Sequence, residues 1–218
     1  MSTQMNSSNK QPFSRSPAMS RPSASIYGRL SALACAALSI APAFAHPGHP
    51  DAFGFNNGFA HPFSGIDHLL AMLAVGLWAA QNKRSALWVL PLAFPLMMVV
   101  GALLAFAGLQ MPGVETGIAA SVAVLGLLIA FAIRMPVWAS AGVVSVFALF
   151  HGYAHGSELP HGASALWYGV GFVAATALLH LLGLAIGLVA GQKMAAQAVR
   201  LGGVAIAAVG GYLLSGAF

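Results

Sequence analysis

Residues 86–107 read Ala86-Leu-Trp-Val-Leu-Pro-Leu-Ala-Phe-Pro-Leu-Met-Met-Val-Val-Gly-Ala-Leu-Leu-Ala-Phe-Ala107, with no charged side chain in the run. A helix that crosses a bilayer needs about 20 consecutive apolar residues, and this stretch supplies them. Similar runs lie on both sides, and helices are predicted at 63–81, 86–107, 116–133, 137–154, 165–191 and 199–217. The expected fold is therefore all-α, a polytopic bundle of six transmembrane helices filling residues 63–218. Composition points the same way. The 218 residues are 59% hydrophobic and 6% charged, whereas a soluble domain carries about 25% charged residues. So few charges cannot cover a water-facing surface. The formal charge of +5 does not indicate nucleic acid, because Lys10, Arg15, Arg21 and Arg29 lie ahead of the bundle. The other five bases face four acids.

The amino terminus reads as a targeting segment. Residues 1–29 are rich in Ser, Pro and Arg, and Leu30 to Ile40 is an apolar run of 11 residues, too short to span. Pro42 and then Ala43-Phe44-Ala45 follow, an A-x-A cleavage signature. Residues 1–45 are thus expected to be an extension and a cleaved signal peptide, with Met19 as an alternative start. The mature chain would begin at His46, carry a histidine-containing outer segment over 46–62, and lose the only cysteine, Cys35.

Cleavage places the new amino terminus outside. The cytoplasmic connections then hold Lys83, Arg84, Arg134, Lys193 and Arg200, every base of the mature chain, as the positive-inside rule requires. Asp51, Asp67, Glu115 and Glu158 fall on the outer side. The expected location is a bacterial inner membrane with the mature amino terminus in the periplasm. Glycines 183, 187 and 191 recur every fourth residue, a spacing suited to close helix packing in lipid.

Eight histidines in so apolar a chain mark the chemistry. One constellation is His61-Pro-Phe-Ser-Gly-Ile-Asp67-His68. With a helix starting at Pro62, a spacing of seven sets His61 and His68 on one face. Asp67 is an ionisable group at the head of an apolar helix with no Lys or Arg on its side of the membrane. An intramembrane acid of this kind marks a functional site, and the missing cation is a metal or a proton. The second constellation is His151-Gly-Tyr-Ala-His155-Gly-Ser-Glu158, whose spacings of four and three align two imidazoles and a carboxylate. Gly152 and Gly156 are expected to loosen the helix there and turn carbonyls inward. Both sets sit at outer helix ends, so His61, Asp67, His68, His151, His155 and Glu158 could share one site. A nitrogen and oxygen donor set without thiolate suits nickel, cobalt, zinc or copper(II). The competing reading is a structural polar network, and buried carboxylates without a basic partner weigh against it. His180, alone in the fifth predicted helix, fits a helix–helix hydrogen bond as well as a ligand. His46, His49 and His161 are candidate metal collectors or plain polar residues.

At these motifs the sequence resembles the HupE/UreJ family of hydrogenase and urease accessory membrane proteins. The matching stretches run from His61 to Gly76 and from Phe150 to Pro160, with Val114-Glu115-Thr-Gly-Ile-Ala-Ala-Ser121 as a third. The resemblance implies a nickel permease, with cobalt as the next candidate, no permanently bound cofactor and the metal as cargo. It implies a metal path through His61, Asp67, His68, His151, His155 and Glu158, with Glu115 as a further acid. A looser likeness to the nickel–cobalt permeases, with histidine, four residues and then Asp-His, departs here because five residues separate His61 from Asp67.

Two other functions compete. An intramembrane metallohydrolase of the His-Glu-x-x-His type needs a glutamate after its first histidine, and Gly152 stands there. A non-transporting accessory protein would bind the metal for a partner without moving it. The chain has no Gly-x4-Gly-Lys-Ser/Thr loop, so it is not expected to use ATP itself. An oligomer is compatible with the sequence.

Overall fold

The computed structural model describes Met1 and residues 50–159, 164–190 and 193–216. The expected signal peptide, its cleavage site, His46, His49 and His161 lie outside the described residues. The body of the chain is all-helical among these residues: α1 (Pro50–Ser64), α2 (Ile66–Gln81), α3 (Ala86–Phe106), α4 (Val114–Ala130), α5 (Val137–Ser157), α6 (Ala165–Val189) and α7 (Lys193–Leu214).

Among the described residues four helices are long and apolar enough to cross a membrane: α3, α5, α6 and the Ala196–Leu214 part of α7. A fifth span is reached if α1 and α2 count as one broken crossing. α4 is apolar but only 17 residues long, about 26 Å at 1.5 Å per residue against a hydrocarbon core of about 30 Å. Length and composition alone thus give fewer spans than the six expected.

The first predicted helix, 63–81, differs most from the structure. The chain is already helical from Pro50, and the axis turns by 84° between the two segments. The hinge is Gly65, in extended conformation at φ −106° and ψ 123°. Pro62 sits inside the last turn of α1, not at the start of a new helix. The seven-residue spacing of His61 and His68 therefore does not put them on one helical face.

Close backbone approach assembles the bundle. A Cβ on Gly58 would lie 2.0 Å from the Tyr168 carbonyl oxygen, and one on Gly171 would lie 2.2 Å from that of Phe55, so α1 and α6 touch backbone to backbone. Gly76 and Gly183 bring α2 against α6 in the same way, at His180 and Leu73. Gly101 and Gly152 do so for α3 and α5, and Gly126 and Gly210 for α4 and α7. Small residues permit this packing in lipid, where no hydrophobic drive separates helix from solvent. Gly152 and Gly156 accordingly do not loosen α5, which runs unbroken to Ser157. They seat it against Met98 and Ala102 of α3.

The two ends of the bundle differ in charge. The end of α2, the connection after α4 and the start of α7 meet at one end, where Arg200 Nε donates to the Ala130 carbonyl at 2.7 Å. Gln81 Nε2 donates to the Ile129 carbonyl at 3.2 Å, so α2 and α4 finish together. Lys83, Arg84 and Arg134 are exposed at this end. Asp67 and Glu115, each in the first turn of its helix, therefore share the opposite end.

Candidate metal centre

Two helix ends and two helix starts build the site. The last turn of α1 carries His61, the first turn of α2 carries Asp67 and His68, the end of α5 carries His151 and His155, and α6 begins beneath them with Tyr168 and Phe172. The bend at Gly65 brings the first two together. On a continuous helix, seven residues span about 10.5 Å, whereas the rings of His61 and His68 stand 6.1 Å apart.

The four imidazoles form one cluster. Ring centroids are 4.7 Å apart for His61 and His155, 4.5 Å for His68 and His155, and 5.0 Å for His68 and His151. Ligand atoms of His61, His155 and Glu158 all lie within 4.8 Å of one another, the spacing of a site able to hold a metal ion. Glu158, the C-cap of α5, is exposed. It lines a vestibule of about 390 Å³ with Asn57, Ala60, His61, Ser64 and Tyr168. The cluster thus runs from an open mouth at His61 and Glu158 to a buried floor at His151.

Hydrogen bonds fix which nitrogens are free. The Nδ1–H of His68 donates to Asp67 Oδ1 at 2.7 Å, and the same oxygen accepts the His68 backbone N–H at 2.8 Å. His151 Nδ1 donates to the Phe147 carbonyl at 2.9 Å. A neutral ring that donates through Nδ1 presents a lone pair at Nε2. His68 Nε2, His151 Nε2 and both nitrogens of His155 are buried without a hydrogen-bond partner. Unsatisfied buried polar atoms are costly, and four in one cluster are what a metal ion would satisfy. A carboxylate or carbonyl behind the histidine is the usual arrangement for orienting a metal-binding imidazole.

Asp67 therefore touches the site through His68. Gly65 leaves room for this pair, since a Cβ there would lie 2.7 Å from Asp67 Oδ1 and 3.1 Å from His68 Nδ1. Glu115 shares this end of the bundle but is exposed and outside the ligand group. His180 is not in the cluster. It packs against Phe94 at 5.3 Å, and Phe94 also meets His151 at 5.4 Å.

Sequence reasoning missed the aromatic wall, in which Phe172 lies 4.1 Å from His155 and Tyr168 lies 6.0 Å from His61. Nothing distinguishes these two from the other aromatics of an apolar helix. It also missed Gly65, although a glycine two residues before an acid at a helix start was a usable sign of a bend.

An all-helical membrane protein with clustered histidines and carboxylates at one end of its bundle defines the class. The chain matches the family described as HupE / UreJ protein over residues 33–213. A curated relative, Protein HupE of Rhizobium leguminosarum bv. viciae, is 46% identical over 175 residues, covering 80% of this chain and 91% of the relative. The chain belongs to the HupE/UreJ family, as its motifs implied. No solved structure matches it.

Proposed function

We propose that this protein carries a divalent transition metal, nickel first and cobalt next, inward across a bacterial inner membrane for hydrogenase or urease maturation. The observation that carries the reading is the set of buried, partnerless imidazole nitrogens beside an open, acid-lined vestibule. Glu158 draws the hydrated cation into the mouth. His61 and His155 replace part of its water shell, and His68 and His151 receive it deeper. Asp67 holds His68 in the metal-binding tautomer and offsets the incoming charge. Nitrogen and oxygen donors favour nickel or cobalt over soft, thiolate-seeking ions.

In this reading the signal peptide is removed after Ala45 and the remaining chain crosses six times, with α1 and α2 forming one broken span and α4 a short one. The histidine end faces the periplasm and the basic end the cytoplasm, in accord with the positive-inside rule. The membrane potential supplies the drive, about 2.3 kcal/mol per positive charge per 100 mV. The chain uses neither ATP nor nucleic acid, works in lipid, holds no permanent cofactor and catalyses no reaction.

Radioactive nickel uptake in cells lacking other nickel importers tests this, with membrane abundance followed by immunoblot. The wild type should accumulate nickel, and Asp67→Asn, which keeps size and loses charge, should not. Binding of nickel by the purified protein without uptake would show a metal-holding accessory protein instead of a transporter.

A further inference from the structure

His180 is fully buried, and neither ring nitrogen has a hydrogen-bond partner. It lies well below the histidine cluster. The His180 carbonyl abuts Gly76 of α2, eight residues beyond His68 and so about 12 Å farther along the helix. Two contacts join the levels. Phe94 touches the rings of both His151 and His180. One turn after His68 stands Met72, and one turn before His180 stands Thr176, whose Oγ1 donates to Met72 Sδ at 3.4 Å. Met72, Phe94, Thr176 and His180 are all fully buried.

The neighbouring helix presents an unusual acceptor. An α-helical carbonyl receives the N–H four residues ahead, and proline has none to give. Pro95 therefore leaves the Pro91 carbonyl without its i+4 donor, inside a helix that continues to Phe106. That carbonyl stands beside the His180 ring, whose two nitrogens make no well-formed hydrogen bond. An unsatisfied carbonyl at membrane depth is tolerated where it is buried in protein or lines a path. An imidazole with no well-formed hydrogen bond and a carbonyl that has lost its i+4 helical donor, on facing helices, are a ligand pair for a cation.

We infer that His180 and the Pro91 carbonyl form a second, inner station for the transported divalent metal. An ion leaving the histidine cluster rests there before release at the basic end. The inference rests on the transport reading. A purely structural His180 would serve as a donor to the Pro91 carbonyl, and the experiment separates these roles.

His180→Gln keeps an N–H donor and loses the imidazole. Nickel uptake should fall at least about tenfold at normal membrane abundance, the scale of loss when a metal site is compromised. Titration of purified protein in lipid nanodiscs with Ni²⁺ should show two classes of site in the wild type. His180→Gln should lose one class, and His155→Ala the other. Pro95→Ala, which returns an N–H to the Pro91 carbonyl, should reduce uptake several-fold with the fold intact, and it decides the matter if His180→Gln fails to accumulate. Wild-type uptake in His180→Gln, or in Pro95→Ala where that variant decides, overturns the inner station. If Asp67→Asn still abolishes uptake in that case, only the inner station fails. If Asp67→Asn also transports normally, the histidine cluster is not the metal path; nickel binding without uptake in the wild type is what would end the transport reading itself.

Discussion

The two ends of α2 are built on opposite plans. At its end, Trp78 Nε1 donates to the Ile133 carbonyl at 2.8 Å and Asn82 Nδ2 to the Trp78 carbonyl at 2.9 Å, while Asn82 Oδ1 accepts the Met135 N–H at 3.1 Å. Polar groups there tie α2 to the connection after α4. At its start, sixteen residues away, the bundle places His61, His68, His151 and His155 within ring contact and leaves Nε2 of His68 and His151 unpaired. One end spends most of its polar groups on the fold, with Gln81 Oε1 left over, and the other reserves several imidazole nitrogens. In a low-dielectric interior an unpaired polar group is expensive, so an end that keeps several is suited to receive a ligand.

The largest expected effect comes from breaking the reserved end. His155→Ala removes the ring common to the His61 and His68 contacts. Nickel uptake should drop at least about tenfold while the protein still accumulates in the membrane. Wild-type uptake in this variant would move the metal path elsewhere.

A smaller effect should follow from Gly65→Ala. Its Cβ would crowd Asp67 Oδ1 and His68 Nδ1, both at the ends of movable side chains, while the extended hinge accepts alanine. The site should be disturbed more than the fold. Uptake should fall several-fold with thermal stability in detergent little changed. Unaltered uptake would mean that the Asp67–His68 bond does not set the site.

Asn82→Leu sharpens the contrast from the other end, and its effect on transport should be smallest. It leaves the Met135 N–H without its acceptor, at a cost of about 1–3 kcal/mol if that group stays buried. The melting temperature of the purified protein should fall, whereas uptake per molecule should stay close to that of the wild type. Strong loss of uptake at unchanged stability would give this end a part in transport.

Much of the site could be read one motif at a time. His61, Asp67 and His68 stood out because acids and imidazoles are costly in an apolar chain, and His151, His155 and Glu158 because of their helical spacing. The face argument succeeded for His151 and His155 of α5, where the helix runs uninterrupted, and failed for His61 and His68, where Gly65 breaks the axis. The bundle brings the pairs together through contacts such as Gly58 on Tyr168 and Gly152 on Met98. A glycine spacing indicates close packing without naming the partner helix.

The sequence by itself determined that the chain is a helical membrane protein, where α3 to α6 lie to within a few residues and which residue types can bind a metal. These follow from hydropathy and local spacing, properties that each segment carries alone. Only the tertiary structure decided that α1 begins at Pro50, that the chain turns at Gly65, and that His61 and His155 lie 4.7 Å apart across the bundle. It also decided which ring nitrogens remain free, because a histidine's tautomer is set by the neighbour that its other nitrogen meets.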